Sequence, residues 1–502
     1  MMQESNKNTL KNIGIFFTTL TVSAILNEFQ PQEKPMLNTT HLKWFLSVLL
    51  PAGVYWGVQS AVQADATLNP HLPMFFAITL WAITVWATEI LPAVPTAAAM
   101  TFLYLLCGVA KPPVIFGAWA AFLPWICFGA LVLSEALETT GLTRRLALML
   151  MRAVGATFVR VVISLMVVGI VMAFLLPDIM CRVIIFVAIA HGLVLALELD
   201  PRSRISSAII MAGFCAAISP GYGFLTGSEM ALIAISQLKD VIQVPTWGEY
   251  ALANLPFILL YCCFSVFMCV RIIPGKEHIP HEDHLKEVVE TRLAAMGPMS
   301  IQEWKLLGLL IVAITALLTT KYHGLNGYFL YALLSLSCYL PWMGLAKFEN
   351  VRHLNVGFLV FVVGCLGMGS VAVSLGAHKW FASLILPLIT GMSGTWLVFS
   401  SYLSSVTINF ILTPLAAVSS LTLPWAEIAQ QLNVNPLPIL YAFLYGLDQY
   451  IFPYEYALYM YIFGTGYITA KHMFAGLGLR MLFVGAGILV IQVPYWKLLG
   501  LL

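Results

Sequence analysis

From residue 42 onward the chain is a succession of long apolar runs separated by short polar stretches. The first runs cover 42–62, 72–91, 94–109 and 119–137, followed by 161–197, 205–238 and 251–270. After a polar stretch at 271–304 come 305–318, 327–340, 356–375, 380–390, 395–423, 437–466 and 475–493. A helix needs roughly 20 apolar residues to cross a bilayer core. Four runs are much longer than that, and each contains a breaker. Pro177-Asp178 lies in 161–197, and Ser219-Pro220-Gly221-Tyr222-Gly223 lies in 205–238. Thr413-Pro414 lies in 395–423, and Pro453 lies in 437–466. Each of these runs predicts a helix, a break and a second helix. Lipid offers the backbone no hydrogen-bond partner, so the runs are helical. The short alternating segments of a membrane β-barrel do not occur.

Composition agrees with this pattern. Of 502 residues, 60% are hydrophobic and 10% charged, against about 25% charged in soluble domains. A surface this poor in charge belongs in lipid, and the fold class is an all-α polytopic membrane protein. The net charge of +2 gives no reason to expect a nucleic-acid partner. The nine cysteines show no Cys-x-x-Cys spacing and read as buried thiols. His278, His281 and His284 stand three apart in 271–304, which reads as a solvated connector, so no metal site is expected. No P-loop, Gly-x-Gly-x-x-Gly, His-Glu-x-x-His or nucleophile elbow is present. The chain therefore reads as no enzyme, with no catalytic residue and no cofactor.

Basic residues sort by side. Lys7, Lys11, Lys34 and Lys43 precede the first run. Arg144, Arg145, Arg152, Arg160, Arg202, Arg204 and the 271–304 stretch fall on the same side of the predicted topology. By the positive-inside rule that side is cytoplasmic, with the N-terminus inside and the protein in the plasma (inner) membrane. The expected organisation is an N-terminal arm at 1–40, a first half at 41–270, a cytoplasmic linker at 271–304 and a second half at 305–502.

The halves share a repeat. One spacing, 235 positions, relates Gly129 to Gly364, Gly141 to Gly376 and Arg144 to Lys379. Pro177 shifted by the same amount falls beside Thr413-Pro414. Paired broken helices in related halves point to a transport site. Irregular backbone at membrane depth persists only where protein or a water-filled cavity surrounds it. The free N–H groups of broken helices favour anions, although their carbonyl ends would equally suit cations.

At these segments the chain resembles the divalent anion:sodium symporter family, whose members carry di- and tricarboxylates or sulfate. The resemblance runs from about residue 44 to the C-terminus. Its most specific pieces are the Leu-x-x-Thr-Gly-Leu-x-Arg-Arg stretch ending at Arg145, Phe463-Gly-Thr-Gly-Tyr-Ile468, and Pro494-Tyr-Trp-Lys-Leu-Leu-Gly-Leu501. It implies about 11 transmembrane helices, an inverted repeat, and two re-entrant hairpins at about 161–197 and 395–423. It also implies a homodimer surrounded by lipid that moves a small anionic solute by alternating access.

The hairpin tips depart from the family pattern. The family carries Ser-Asn-Thr at each tip, and the citrate and oxoglutarate translocator branch reads Pro-Ser-Asn-Thr-Ala-Arg at the first. Here the first tip reads Pro177-Asp178-Ile179-Met180-Cys181-Arg182, so proline and arginine remain and the polar triplet is replaced. The second tip, from Asn409 through Thr413 to Pro414, is equally changed. The family's Gly-rich segment is matched by Gly221, Gly223, Gly227, Ser228 and Glu229, with Glu229 in place of a proline. Its second-half counterpart holds Tyr454 and Glu455. The family's sodium chemistry therefore does not carry over position by position.

Charges at membrane depth cost about 2.5–3.5 kcal/mol each and are candidates for function. Asp178, Arg182, Glu229, Asp448 and Glu455 all lie at or beside the breaks. Arg182 would contact an anionic group through its planar fork, or else pair with Asp178 four residues earlier. Glu229 and Glu455 are candidate proton carriers in place of sodium, so the coupling ion stays open between Na⁺ and H⁺. The sequence thus predicts a secondary carrier of a small anion. A proton-coupled or exchange carrier for another ion, and a transport-inactive membrane sensor or scaffold, are the alternatives.

Overall fold

The computed structural model describes residues 37–502 apart from 89, 156, 240, 278–281, 319–324, 326, 348, 350–353, 355, 390, 411 and 452–456. Met1–Leu49 and Leu50–Leu502 form separate compact units. Of the first, the structure describes the start of the helix Leu37–Ala64. The remaining architecture belongs to the second.

All regular structure among the described residues is helical. Among the described residues seven helices are long and apolar enough to cross a membrane, or eight if the bent pair Pro112–Ala120 and Leu123–Thr140 is one span. Shorter apolar helices include Leu72–Thr88 and Pro436–Leu447. Large apolar side chains face outward on many of them, among them Leu333, Leu482 and Val490, which are 65%, 70% and 73% exposed. Such a surface is stable only against lipid or another apolar partner. The chain is an all-α polytopic membrane protein.

In the helix Arg204–Ile218 every residue from Ile205 to Ile218 is buried. Small residues explain how it packs so closely. A methyl group added to Gly169 would lie 2.0 Å from the Ala216 carbonyl oxygen, and one added to Gly213 would lie 2.7 Å from that of Phe186. Bare glycine lets the helices Phe158–Leu175 and Ile179–Ala196 press against the backbone of Arg204–Ile218. In the same way, Pro436–Leu447 packs on both Gly394–Asn409 and Pro414–Gln431.

The helix boundaries repeat at the spacing read from the sequence. Thr140 and Leu375 end helices, and Leu142 and Ala377 begin the next ones. Between them Gly141 and Gly376 adopt left-handed φ values of 70° and 71°, which glycine takes without steric cost. Ile179 and Pro414 open helices that close at Ala196 and Gln431, again at that spacing. Both Trp247–Phe267 and Ala470–Gly487 run into five-residue π-helical turns, Met268–Ile272 and Ile488–Gln492.

The 271–304 stretch differs from the expected solvated connector. Glu282–Ala295 is a helix packed on Leu142–Val154. Its Leu285, Val289 and Leu293 recur every four residues and are buried, giving one apolar face. Arg292 Nη2 donates to the Gly192 carbonyl oxygen at 2.6 Å. His278 and His281 lie outside the described residues.

Candidate functional site

The first break lies between Phe158–Leu175 and Ile179–Ala196. Pro177 cannot donate a backbone hydrogen bond, and Leu176 before it is extended. Asp178 caps the second helix, its Oδ1 accepting from the Cys181 N–H at 3.0 Å. Helix ends leave carbonyls without intrahelical partners, and here three side chains supply them. Thr226 Oγ1 donates to Phe174 O (2.8 Å), Tyr331 Oη to Leu175 O (2.7 Å) and Arg182 Nη1 to Leu176 O (2.9 Å).

The second interruption comes against the first. After Arg204–Ile218 the chain makes two single 3₁₀ turns, Gly221–Gly223 and Leu225–Gly227, before the helix Glu229–Leu238. Arg182 Nη2 donates to Gly227 O at 2.7 Å. A methyl on Gly227 would sit 2.1 Å from Gly221 O and 2.9 Å from Ala173 O, and one on Gly221 would meet Arg182 Nη2 at 3.1 Å. The two glycines are thus the surface on which the turns and Arg182 meet. Gly223 lies instead against side-chain atoms of Leu255 and Ile258.

Glu229 is buried, and its Oε2 accepts from the Ile179 N–H at 3.4 Å, joining the starts of two helices. Ser228 is buried in extended conformation, and its hydroxyl has no hydrogen-bond partner among the described residues. Arg182 Nε also lacks one. No carboxylate among the described residues lies within ion-pair distance of Arg182. Of the two alternatives for Arg182, the ion pair with Asp178 does not form: Asp178 Oδ1 accepts from the Cys181 N–H, while Arg182 Nη1 and Nη2 donate to backbone carbonyls.

In the second half, Asn409 ends the helix Gly394–Asn409. Its Nδ2 donates to Gly446 O and Gln449 O, both at 3.0 Å, while its buried Oδ1 has no partner among the described residues. Thr413 precedes Pro414 at the next helix start, and its side chain makes no capping bond. Asp448 follows the helix Pro436–Leu447 and is buried. Its Oδ2 accepts from Arg480 Nη2 at 3.1 Å and Tyr261 Oη at 3.3 Å. Tyr454 and Glu455 lie outside the described residues.

A cavity of about 10 Å³ is lined by residues from both halves, just enough for one water molecule. Ile179, Phe214 and Met230 contribute from the first half, and Asp448, Tyr450 and Tyr459 from the second. The structure therefore gathers Asp178, Cys181, Arg182, Gly221, Gly227, Ser228 and Glu229 around the first break. It brings the elements carrying Ile179 and Asp448 to one cavity. Gly223 and Thr413 do not line it.

Sequence reasoning missed Arg480. It is a lone arginine inside the apolar run 475–493, and the cost of charge at membrane depth was the signal that marks it. It is 1% exposed, with its guanidinium 5.2 Å from the Tyr261 ring centre and 5.9 Å from that of Phe214.

A family model described as the sodium:sulfate symporter transmembrane region matches residues 16–502. The chain belongs to the sodium:sulfate symporter family. It is a membrane transporter and not an enzyme. A membrane protein of Cupriavidus necator is 25% identical, over 89% of this chain and 93% of its own length. An L-tartrate/succinate antiporter of Shigella boydii is 24% identical, over 84% of this chain and 92% of its own. The crystal structure of the Alcanivorax borkumensis YdaH transporter superposes with a TM-score of 0.54 at 14% identity, over 86% of this chain and 98% of that one. The last likeness supports the sodium:sulfate symporter member's fold alone.

Proposed function

We propose that this sodium:sulfate symporter member is a secondary carrier of a small dicarboxylate, working by alternating access around the two sets of broken helices. One observation carries the reading most. Elements from both halves border one cavity, and its lining residue Asp448 is paired with the buried Arg480. A buried arginine is the side chain suited to a carboxylate or sulfate oxyanion. Relatives named for tartrate and succinate favour a four-carbon dicarboxylate, and the family description keeps sulfate as the second candidate.

The water-sized cavity fits a closed stage of the cycle, so a solute enters only when the breaks separate. In this reading the halves are an inverted repeat, 161–197 and 395–423 are its hairpins, and the protein is a homodimer. It lies in the inner membrane with its N-terminus in the cytoplasm.

The coupling ion follows from a charge count. Asp178 and Glu229 place two carboxylates around the first break against one arginine, Arg182. One further positive charge, from H⁺ or Na⁺, balances them. The hydroxyls and amide of the family's first sodium signature are replaced here, and the carbonyls of Phe174, Leu175 and Leu176 already accept from side chains. Those facts favour H⁺, or exchange of one anion for another.

A thermal-shift series on the purified protein tests the reading. Succinate, citrate and sulfate are added in turn, with and without sodium. A ligand that binds only the folded state raises the melting temperature. Stabilisation by succinate without sodium is expected, and no shift with any of the three contradicts the proposal.

A further inference from the structure

We propose that Arg480 is the residue that binds an oxyanion of the transported solute, and that Asp448 is an internal counter-ion which the solute displaces. This rests on the anion-carrier reading and goes beyond it by assigning the binding group.

Arg182 is the less suitable of the two buried arginines. Its Nη1 and Nη2 donate to the carbonyls of Leu176 and Gly227, where two helices are interrupted. Releasing them to hold a solute would leave buried carbonyls without donors. Arg182 is a structural clamp.

Arg480 is held differently. Its partner is a side chain, and the pair is joined by a single hydrogen bond, Nη2 to Asp448 Oδ2 at 3.1 Å. Arginine and carboxylate commonly meet through two parallel bonds. Here Nε has no partner among the described residues although the residue is 1% exposed. A buried ion pair with incomplete hydrogen bonding is a poor device for stability, because desolvation offsets its attraction. It is a good device for a switch.

The position of the pair agrees. Asp448 lines the cavity, and so does Phe214, one of the two rings beside the guanidinium. Tyr261, the other ring, also donates to Asp448 Oδ2. When Asp448 leaves, Tyr261 Oη and Gln449 Nε2, which now donate to it at 3.3 and 3.5 Å, become donors for the incoming oxyanion. The site would then offer a guanidinium, a phenol and an amide to one carboxylate or sulfate.

The test uses the full chain in proteoliposomes and compares wild type, Arg480→Gln, Asp448→Asn and the double variant. Each is first checked for a monodisperse elution profile and melting temperature. Asp448→Asn should lower the apparent KM for succinate by about tenfold, since the competing charge is gone. Arg480→Gln alone should abolish uptake and also melt early, because it leaves Asp448 buried without a cation. The double variant decides. It should recover the wild-type melting temperature yet take up neither succinate nor sulfate. Uptake by the double variant at a KM near wild type overturns the assignment and leaves the pair purely structural. If wild type itself neither moves nor is stabilised by succinate or sulfate, the carrier reading fails and takes this inference with it. A KM change for one anion only identifies which oxyanion the site is built for.

Discussion

Arg182 and Gly227 are joined by a 2.7 Å hydrogen bond from Nη2 to the carbonyl oxygen, and through it the first broken helix is fastened to the turn that follows Arg204–Ile218. Because Nη1 holds Leu176 O as well, one side chain keeps two interruptions in register. Arg182 thereby gives one carbonyl at each interruption a side-chain donor.

Removal of that clamp should therefore act on stability before it acts on affinity. Arg182→Gln leaves one of the two buried carbonyls without a donor, at about 1–3 kcal/mol. Arg182→Lys should rescue little, since an ammonium lacks the planar fork that reaches both. Melting curves of the purified variants check this. A wild-type melting temperature for Arg182→Gln would show that the clamp carries no load.

The glycines of the turn should differ among themselves. Gly227→Ala forces a methyl group to 2.1 Å from Gly221 O, a backbone atom that cannot step aside. Gly223→Ala meets side-chain carbons of Ile258 and Leu255 at 3.1 Å, which can shift slightly. Overpacking of buried sites costs about 1–3 kcal/mol, so Gly227→Ala should fall at the upper end or above and Gly223→Ala near the lower. Expression yield and melting temperature measured side by side give the order, and equal effects would refute it.

Gly141 and Gly376 offer a matched pair of substitutions on the two halves. Each holds φ near 70° between two helices, with no backbone atom crowding the place of a β-carbon. Alanine at either should cost about 1–2 kcal/mol from the left-handed backbone alone. If one substitution is silent and the other is not, the two helix corners are not equivalent in the folded protein.

Glu229→Gln separates coupling from solute binding. It removes one of the two carboxylates at the first break but keeps an oxygen that can accept from Ile179 N. Uptake driven by a pH gradient should disappear, while exchange of external for internal succinate persists at a rate close to wild type. Net uptake that still follows the pH gradient would place the proton elsewhere, and uptake that follows only a sodium gradient would remove the proton reading.

Much of this architecture was legible in the chain itself. Pro177 and Pro414 marked breaks because proline leaves a carbonyl without its donor, and the helices do restart at Ile179 and Pro414. The spacing that links Gly141 to Gly376 reappears in the helix boundaries on both sides of them. The partners of the broken ends were not legible. Tyr331 lies 156 residues from the carbonyl it caps, and Arg480 lies 32 from Asp448. Pairings across such separations leave no local period to read. The helix Glu282–Ala295 was missed because its charged residues dominate its composition, although Leu285, Val289 and Leu293 form a buried stripe. The membership of Asp178 and Glu229 in one cluster was visible from their breaks, but their satisfaction by backbone N–H groups instead of by Arg182 was not.

Flux of a solute across a sealed membrane bears most directly on the whole account. Full-length protein in proteoliposomes loaded with unlabelled succinate is given radiolabelled succinate outside. The account predicts label accumulating above equilibrium by counterflow, absent from protein-free vesicles and from the Arg480→Gln, Asp448→Asn double variant. No accumulation of succinate, citrate or sulfate, whether vesicles are preloaded, given a pH gradient or given a sodium gradient, would contradict it.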